Sequence, residues 1–305
     1  MNLSRLDWDL CRSFLAILRG GSLSEAARSL GVAHPTVRRH LEELEAALGT
    51  TLFTRSPTGL VPTELAVQLR ETAEAMESAA ENLVRSASAK AGGIAGTVRI
   101  SASEVVGVEV LPDILAGLRN RHGDLAIELK VSNVIDDVLR RDVDIAIRMT
   151  RPTQVELAVR KIGAVRIGLF AHIDWLTAYG EPQSIEAVID QRSLVGYDRN
   201  PALIQWLSSR GVMASKDAFS FRCDNDVGQL AAIRAALGVG LCQIPLAARY
   251  PKLKRVLPSY SVALEVWLAT HPNLKDVPRV RATLEGLARG LRDYLRAEAH
   301  SVKSP

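Results

Sequence analysis

The stretch Gly21–Arg55, GSLSEAARSLGVAHPTVRRHLEELEAALGTTLFTR, decides the fold of the N-terminal part of the chain. Ser22 and Glu25 have the spacing of a capping box, in which the Ser side chain accepts a hydrogen bond from the backbone N–H three residues on. Gly31 predicts the end of this first helix, because the left-handed conformation that ends a helix is cheap only for glycine.

A second helix is expected to begin at His34 and Pro35, since proline is tolerated in a first helical turn, where its missing N–H would be unpaired. Apolar residues then recur at intervals of four, three and four, which places them on one buried face. They are Val37, Leu41, Leu44 and Leu48. The exposed surface at the start of this helix is formed by His34, Pro35, Thr36, Arg38 and Arg39.

The same helix becomes acidic farther along, at Glu42, Glu43 and Glu45. A helix that lay flat on phosphates would not carry these acids, whereas a helix inserted by its N-terminal end keeps them clear. Helix-turn-helix recognition helices enter the major groove in that way. An ordinary αα-hairpin in a helical bundle is the alternative interpretation.

Two short extended arms within residues 52–62 flank a Pro/Gly turn, which predicts a β-hairpin or wing. Arg55 would lie where such a wing meets the phosphates or the minor groove. Thr58 lies in the turn of the hairpin.

Residues 1–62 resemble the winged helix-turn-helix of the LysR-type transcriptional regulators. The likeness runs through Ser22, Ala26, Ala27, Leu30, Gly31, Val32, Pro35, Thr36, Val37, Arg39, Leu44, Glu45, Leu48, Gly49, Leu52, Phe53, Arg55, Pro62, Thr63 and Glu64. Members of that family usually carry Gln or a similar amide at the position of His34 and Ser at that of Arg38, so the base preference stays open. The candidate DNA contacts are Ser22, His34, Pro35, Thr36, Arg38, Arg39, Arg55 and Thr58.

Thr63 predicts the start of a long helix that continues to about Ala89. Along it, residues at alternating intervals of four and three form a heptad seam, which favours pairing with a second helix. The seam residues are Leu65, Leu69, Thr72, Met76, Ala79 and Leu83. Packing on its own chain is the alternative. In the resembled family this linker helix pairs two subunits, so that two recognition helices read two half-sites.

A break at Lys90–Gly93 marks a domain boundary. Beyond it, strands alternate with helices, which is typical of a parallel α/β sheet. The predicted strands are 98–102, 126–131, 144–149, 165–171, 194–197, 219–223, 240–244 and 264–270. The predicted helices are 105–121, 135–140, 185–190, 201–209, 227–237 (ended by Gly238) and 277–295.

The expected fold is therefore α+β and multi-domain. It consists of a winged helix-turn-helix at 1–62, a linker and dimerisation helix at 63–91, and a two-lobed α/β domain at 92–305. The last part looks like the effector-binding domain of the same family, which is similar to periplasmic binding proteins. The resemblance implies that lobe I comprises about 92–162 and 263–305, and lobe II about 163–262.

In open α/β sheets, ligands bind beyond the carboxyl ends of the strands, and in the resembled family these ends line an inducer cleft between the lobes. The candidate ligand-binding residues are Ser101, Ser103, Glu104, Asn133, Arg148, Asp198, Arg199, Asn225 and Gln243. A loop-capping role is the alternative for each of them. Arg148 or Arg199 could bind a carboxylate bidentately, which favours a small organic acid. Glu104 and Asp224 would oppose an anion, or would bind an amine or hydroxyls.

The composition is that of an ordinary globular protein, with a formal net charge of +4. Residues 1–62 carry seven Lys/Arg and six Asp/Glu, so the DNA prediction depends on where Arg38, Arg39 and Arg55 lie rather than on bulk charge. The N-terminus has no signal-peptide pattern, and no apolar run is long enough to span a bilayer. We therefore expect a cytoplasmic protein with no membrane partner.

The three cysteines, Cys11, Cys223 and Cys242, are too few and scattered for a disulfide framework or a zinc site. We expect them to be buried and reduced, with redox sensing as the alternative. The histidines lack metal-ligand spacing, and the nucleophile-elbow, zincin, Walker and dinucleotide-binding motifs are missing. We therefore expect no catalytic residue, no metal and no cofactor, only a small-molecule inducer.

Three functions remain in competition: a ligand-responsive DNA-binding regulator, a transport-type solute-binding protein, and an α/β enzyme with an accessory helical domain. The helix-turn-helix argues against the second, and the lack of an acid–base constellation argues against the third. We expect a regulator that binds a pseudo-palindromic double-stranded operator as a homodimer or homotetramer. RNA polymerase is a further candidate partner. The inducer, the operator and the sign of regulation stay open.

Overall fold

The computed structural model describes residues 7–57, 59–87, 94–133, 143–154 and 157–301. The chain forms two compact units, Met1–Ser88 and Ala89–Pro305. Three sequence predictions lie outside the described residues: the wing-tip contact Thr58, the helix 135–140 and the break at Lys90–Gly93.

The first unit begins with three helices and a hairpin, followed by one long helix. These elements are α1 (Trp8–Gly20), α2 (Leu23–Leu30), α3 (His34–Leu48), β1 (Phe53–Ser56), β2 (Gly59–Pro62) and α4 (Glu64–Ala87). Ile17, Val37 and Leu52 lie fully buried in their shared core. The predicted helix-turn-helix and antiparallel wing are confirmed.

Local sequence signals set the ends of α2 as predicted. The Ser22 side chain accepts a hydrogen bond from the backbone N–H of Glu25 at 3.1 Å. Gly31 has φ +66° and ends the helix. The Glu25 carboxylate forms an ion pair with Arg28, whereas a complete capping box would turn it back towards the start of the helix.

The long helix α4 packs on its own unit through a face next to the predicted seam. Ala66 and Ala73 are buried in the core that α1 also lines. Two seam leucines remain exposed, Leu65 at 38% and Leu83 at 72%. The heptad seam is therefore largely left open, because alanines one position along make the contact with the unit's own core.

The second unit contains a six-stranded sheet in the order β4-β3-β5-β10-β6-β9, and a separate two-stranded pair, β7-β8. The strands are β3 (Gly96–Ala102), β4 (Leu125–Val131), β5 (Ile145–Arg148), β6 (Ala158–His172), β7 (Leu194–Gly196), β8 (Phe219–Arg222), β9 (Gly240–Gln243) and β10 (Leu253–Thr270). The helices are α5 (Leu111–Arg121), α6 (Ile173–Tyr179), α7 (Ile185–Asp190), α8 (Ala202–Ser208), α9 (Asp226–Arg234), α10 (Ile244–Ala247) and α11 (Pro278–Ser301). A π-helical turn, Val106–Val110, precedes α5.

The predicted parallel sheet is confirmed only for β3, β4 and β5, and the sheet as a whole is mixed. β3 pairs in parallel with β4 and β5, but β10 runs antiparallel to β5 and β6, and β9 runs antiparallel to β6. The reason is topological. β6 carries the chain from one lobe into the other and β10 carries it back, so these two neighbours must run in opposite directions.

We call lobe I the part built on β3–β5, α5 and α11, and lobe II the part built on β7–β9 and α6–α10. The two crossing strands are longer than predicted, at 15 residues for β6 and 18 for β10. Gly163 pairs with Val266, and Ile167 with Val262, so both expected lobe boundaries fall inside this paired ribbon.

The predicted stop of the helix at Gly238 is also wrong. α9 ends at Arg234, and the left-handed residue that follows it is Ala236, with φ +61°. Gly238 has another role: a Cβ there would lie 2.1 Å from the carbonyl oxygen of Ser193. The glycine thus permits the close approach of two backbones ahead of β9.

Candidate functional site

The start of α3 forms an exposed polar surface on the first unit. His34, Pro35, Arg38 and Arg39 are exposed, and Thr36 is half-buried. The helix presents them because Val37, Leu41 and Leu44 hold its opposite face in the core. Of the candidate DNA contacts, Ser22 lies apart as the N-cap of α2.

Both arginines of this surface reach acids one helical turn farther along. Arg38 Nε donates a hydrogen bond to Glu42 Oε1 at 2.8 Å, and Arg39 Nε lies 3.6 Å from Glu43 Oε1. All four side chains are more than half exposed. Pairs of this kind contribute about 0.3–0.5 kcal/mol to the stability of the helix.

The wing is fixed to α3 and to the end of α1. The Glu45 carboxylate accepts hydrogen bonds from the backbone N–H groups of Leu52 at 2.6 Å and Phe53 at 3.3 Å. The N–H of Leu60 donates to the carbonyl oxygen of Gly21 at 2.9 Å. Arg55 lies on β1 with its side chain exposed.

The second unit contains a cavity of about 540 Å³ between its two lobes. Its wall is mostly apolar, with Val105, Met149, Ile167, Leu203, Trp206, Leu230, Leu241, Leu246, Val262 and Leu264. The polar groups on the wall include Ser103, Asn133, Arg148, Tyr197, Asp226, Gln229 and Gln243. Few polar groups on an apolar wall are typical of small-molecule sites.

Arg148 places a guanidinium in this wall while only 4% of the residue is exposed. It ends β5, a strand buried between β3 and β10. Its Nη1 donates to the carbonyl oxygen of Ile147 at 3.0 Å, and its Nη2 donates to Ser101 Oγ at 2.8 Å. Ser101 is fully buried and holds the arginine from behind.

Two donors in the wall, Ser103 Oγ and Trp206 Nε1, are buried and make no hydrogen bond to any residue that the structure describes. Ser103 belongs to lobe I and Trp206 to α8 of lobe II. The indole ring is fixed by Arg210, whose guanidinium lies 4.2 Å from the ring centroid, and by the edge of Tyr260.

A hydrogen-bonded network joins the lobes at the mouth of the cavity. The N–H of Asp226 donates to Glu104 Oε2 at 2.7 Å. The Asp226 carboxylate accepts hydrogen bonds from Asn133 Nδ2 at 3.0 Å and from Tyr197 Oη at 2.6 Å. Burial, together with the hydrogen bond to Asp226, raises the pKa of Tyr197, so its hydroxyl stays protonated.

The other end of α9 is tied to the same segment of lobe I. Arg234 forms an ion pair with Glu109 at 2.9 Å, and Tyr250 Oη donates to the same carboxylate at 2.8 Å. Burial acts to raise the pKa of Glu109, but the contacts with Arg234 and Tyr250 outweigh it and lower the pKa. Both ends of α9 are therefore held by carboxylates that lie five residues apart, Glu104 and Glu109.

Asp198 and Arg199, in the loop after β7, do not line this cavity. Arg199 lines a neighbouring pocket of about 440 Å³ together with Glu104, Asn133 and Tyr197. Arg199 Nε donates to Asp224 Oδ2 at 2.7 Å, and Asp224 Oδ1 accepts from the backbone N–H groups of Asp198 and Arg199. These hydrogen bonds, first the one from the Arg199 side chain, hold the pKa of Asp224 down to about 2. Asp198 itself forms an ion pair with Arg222 at 3.4 Å.

The candidate ligand-binding residues thus divide into groups. Ser103, Asn133, Arg148 and Gln243 line the cavity, Glu104 lies at its mouth, and Ser101 lies behind Arg148. Asp198 and Arg199 belong to the outer loop, and Asn225 caps α9 by accepting from the N–H of Gly228 at 2.7 Å. Gln243 also accepts from Tyr294 Oη at 2.6 Å.

Sequence reasoning missed most of the wall that lobe II supplies, including Tyr197, Trp206, Asp226 and Gln229. Tyr197 directly follows β7 and Asp226 opens α9, so the strand-end rule could have found them. Trp206 lies in the middle of a short helix and gives no such signal.

All three cysteines are free thiols. Cys11 and Cys242 are buried and Cys223 is half-buried. Burial raises the pKa of Cys11, and it raises the pKa of Cys242, on the cavity wall, to about 12. Within the described ranges, no group of three or more His, Cys, Asp or Glu is placed to hold a metal ion. No described helix has both the length and the apolar character needed to cross a bilayer.

Comparison with known proteins matches two family models along this chain. Residues 8–67 match the bacterial regulatory helix-turn-helix protein, lysR family, and residues 91–292 match the LysR substrate binding domain. The Mau operon transcriptional activator of Paracoccus denitrificans is 31% identical over 164 residues. That match covers 54% of this chain and 58% of the activator, so the chain spans little more than half of its length.

Two further likenesses extend over nearly the whole chain. The HTH-type transcriptional activator TtdR of Escherichia coli K12 is 23% identical over 289 residues, which cover 92% of this chain and 93% of TtdR. The crystal structure of full-length CbnR, complexed with its target DNA, is 17% identical with a TM-score of 0.69, and the match covers 93% of this chain and 100% of that one. The structural likeness shows the fold.

Proposed function

The chain belongs to the LysR family of bacterial regulatory proteins, and from that premise we propose that it regulates transcription by binding operator DNA in response to a small organic acid. The observation that carries the proposal is the pairing of two sites on one chain. One is an exposed, arginine-bearing helix end beside a wing. The other is an apolar cavity with one buried guanidinium.

The N-terminal end of α3 is the part that enters the major groove. Its exposed start carries His34, Arg38 and Arg39, and the acids Glu42 and Glu43 lie one turn back, away from an inserted tip. Arg55 on the wing supplies a backbone or minor-groove contact. The fold shared with CbnR, whose structure contains its target DNA, supports the binding of DNA.

The open seam of α4 pairs two copies of the chain. Leu65 and Leu83 are exposed leucines at heptad positions of one helix, and burying them against a second copy removes apolar surface from water. Pairing sets two recognition helices at a fixed separation, so the operator is pseudo-palindromic. The assembly is a homodimer or a homotetramer in the cytoplasm, where its DNA lies, and RNA polymerase is a further partner.

The ligand is a carboxylate with an apolar body. A guanidinium binds a carboxylate through two parallel hydrogen bonds, and it does so more strongly away from water. Arg148 is the cation on a wall otherwise made mainly of Leu, Ile, Val, Met and Trp side chains. The one carboxylate among the described residues of the wall, Asp226, already accepts hydrogen bonds from Asn133 and Tyr197. The cavity binds this ligand without turning it over.

The test begins with selection of bound fragments from genomic DNA, followed by titration of the selected operator at fixed salt. Arg39→Ala should weaken binding to all sequences, whereas Arg38→Ala and His34→Ala should reduce the preference for the operator over unrelated DNA. If all three variants bind like the wild type, the proposed orientation of α3 is wrong. A set of aryl and alkyl carboxylates, titrated by calorimetry, then tests the cavity.

A further inference from the structure

The Arg38–Glu42 contact leaves one edge of the Arg38 guanidinium available. Glu42 Oε1 accepts from Nε at 2.8 Å. The two terminal amino groups, Nη1 and Nη2, donate to no residue within the part of the chain that the structure describes. Two parallel N–H donors of this kind match the O6 and N7 acceptors of a guanine in the major groove.

We propose that Arg38 reads a guanine in each half-site and that Glu42 is the residue that positions it. Glu42 holds the Nε edge, which fixes the plane of the guanidinium and directs the two amino groups away from the helix. The proposal rests on the proposed function, since it requires that α3 enters the major groove. Guanine is thus the base that the chain reads, and Glu42 increases the specificity of that contact.

Helix stability accounts for the pair only in part. At a spacing of four residues, the favourable order places the acid before the base, because that order also suits the helix dipole. Here the arginine precedes the glutamate, at both Arg38–Glu42 and Arg39–Glu43. An acid in the middle of a DNA-reading helix also repels phosphates, so its presence near the reading end requires another gain.

The neighbouring pair, Arg39 and Glu43, has a looser geometry than Arg38 and Glu42. Arg39 Nε lies 3.6 Å from Glu43 Oε1, which is beyond a hydrogen bond, and Arg39 points farthest from the buried face. Arg39 is therefore a mobile phosphate contact, whereas Arg38 is a held donor pair. Arg38 and Arg39 are adjacent in sequence but have different roles, because only Arg38 is oriented by a hydrogen bond to an acid.

The experiment replaces each guanine of the selected operator in turn with 7-deazaguanine, which lacks the N7 acceptor, and titrates full-length protein by fluorescence anisotropy. For the wild type, one guanine in each half-site should cost about tenfold in affinity when it is replaced. Arg38→Ala should lose this penalty. Glu42→Ala should reduce it to less than threefold, and Glu42→Gln, which keeps an acceptor oxygen, should restore most of it.

Glu43→Ala is the matched control, because it removes the same charge from the same helix one residue away. Both alanine variants should bind unrelated DNA more tightly, but Glu43→Ala should keep the full 7-deazaguanine penalty. The inference is overturned if no guanine shows a penalty that depends on Arg38, or if Glu42→Ala and Glu43→Ala leave the penalty equally intact. Failure of the wild type to select any DNA would instead overturn the proposed function.

Discussion

The exposed start of α3 and the cavity of the second unit use the same chemical group in opposite surroundings. Arg38 and Arg39 lie in water beside exposed acids, while Arg148 is 4% exposed and surrounded by apolar side chains. In water, charges attract weakly and salt screens them, so contacts on α3 are easily exchanged. Inside the cavity the same charge acts strongly at short range, so a bound partner must match it. The two surroundings therefore give the same group a weak, exchangeable attraction in one place and a strong, selective one in the other.

The dryness of the cavity can be tested first, and it gives the largest expected effect. Burial raises the pKa of Cys242 to about 12, so at pH 7.5 its thiolate fraction is lower by a factor on the order of 10³ than that of a free cysteine with a pKa of about 8.5. Alkylation by iodoacetamide should be slower by at least that factor, because access is also blocked. Mass spectrometry of the modified peptides measures it.

Cys223 is half-buried and serves as the internal control, with faster labelling expected. Equal labelling of Cys223 and Cys242 in the folded protein would show that water reaches the cavity freely. The contrast between an exposed and a dry site would then lose its basis.

The buried guanidinium itself gives the next largest effect. Arg148→Met should weaken the binding of any carboxylate ligand by about a hundredfold, since loss of one partner of a buried charged hydrogen bond costs about 2–5 kcal/mol. Isothermal calorimetry measures the affinity. Because Met leaves Ser101 Oγ without its donor, circular dichroism must first show that the variant is folded. Arg148→Lys keeps the charge but not the paired donors, so its ligand affinity should lie between those of the wild type and Arg148→Met.

A smaller effect is expected at the exposed end of the molecule. Arg39→Ala should reduce operator affinity about tenfold at low salt and lower the slope of log K against log salt by about one, because one phosphate contact is lost. Anisotropy titrations at four salt concentrations measure both numbers. An unchanged slope would place Arg39 away from the phosphates and would remove the contrast with Arg148.

The smallest effect on ligand binding is expected for Arg199→Met, the exposed counterpart of Arg148→Met. Ligand affinity should change less than twofold, because Arg199 pairs with Asp224 outside the cavity. The pKa of Asp224 should rise from about 2 towards about 3.9. A depressed carboxyl pKa stabilises the fold above pH 4, and this is lost as pH falls to about 2, so the variant should lose the loop contact at a higher pH.

Carboxyl NMR titration follows that change. A hundredfold loss of ligand affinity in Arg199→Met would move the anion site to the outer loop. Arg199 would then replace Arg148 as the residue that binds the carboxylate.

The sequence was sufficient to predict which residues the start of α3 exposes, because that surface is local. Its residues lie within one stretch, and the period of a helix shows which side chains face away from Val37 and Leu41. The wing followed from one Pro/Gly turn. Only the partners of the arginines were not foreseen, since the i, i+4 pairs depend on which rotamers the exposed side chains adopt.

The cavity could be predicted only in part because its wall comes from many separate segments. The strand-end rule predicted that Ser103 and Arg148 lie close together, and both line the cavity because β3 and β5 are parallel neighbours. It did not bring Arg199 to that wall, since Arg199 pairs with Asp224 and lines the neighbouring pocket instead. The lengths of the crossing strands β6 and β10 were underestimated, because charged residues such as Arg160 and Lys254 interrupt the apolar pattern where each strand leaves a core.

The crossing strands also determine when the protein can fold during its own synthesis. Ile147 on β5 pairs with Leu268 on β10, a residue made 121 positions later (268 − 147). At roughly 5–20 residues per second, the ribosome needs about 6–24 s to supply that partner. Throughout this interval β5 presents an open edge of four buried-type residues, Ile145–Arg148, to other nascent chains. A message truncated before β10 should therefore yield an insoluble product, even though it encodes every residue of the DNA-reading end.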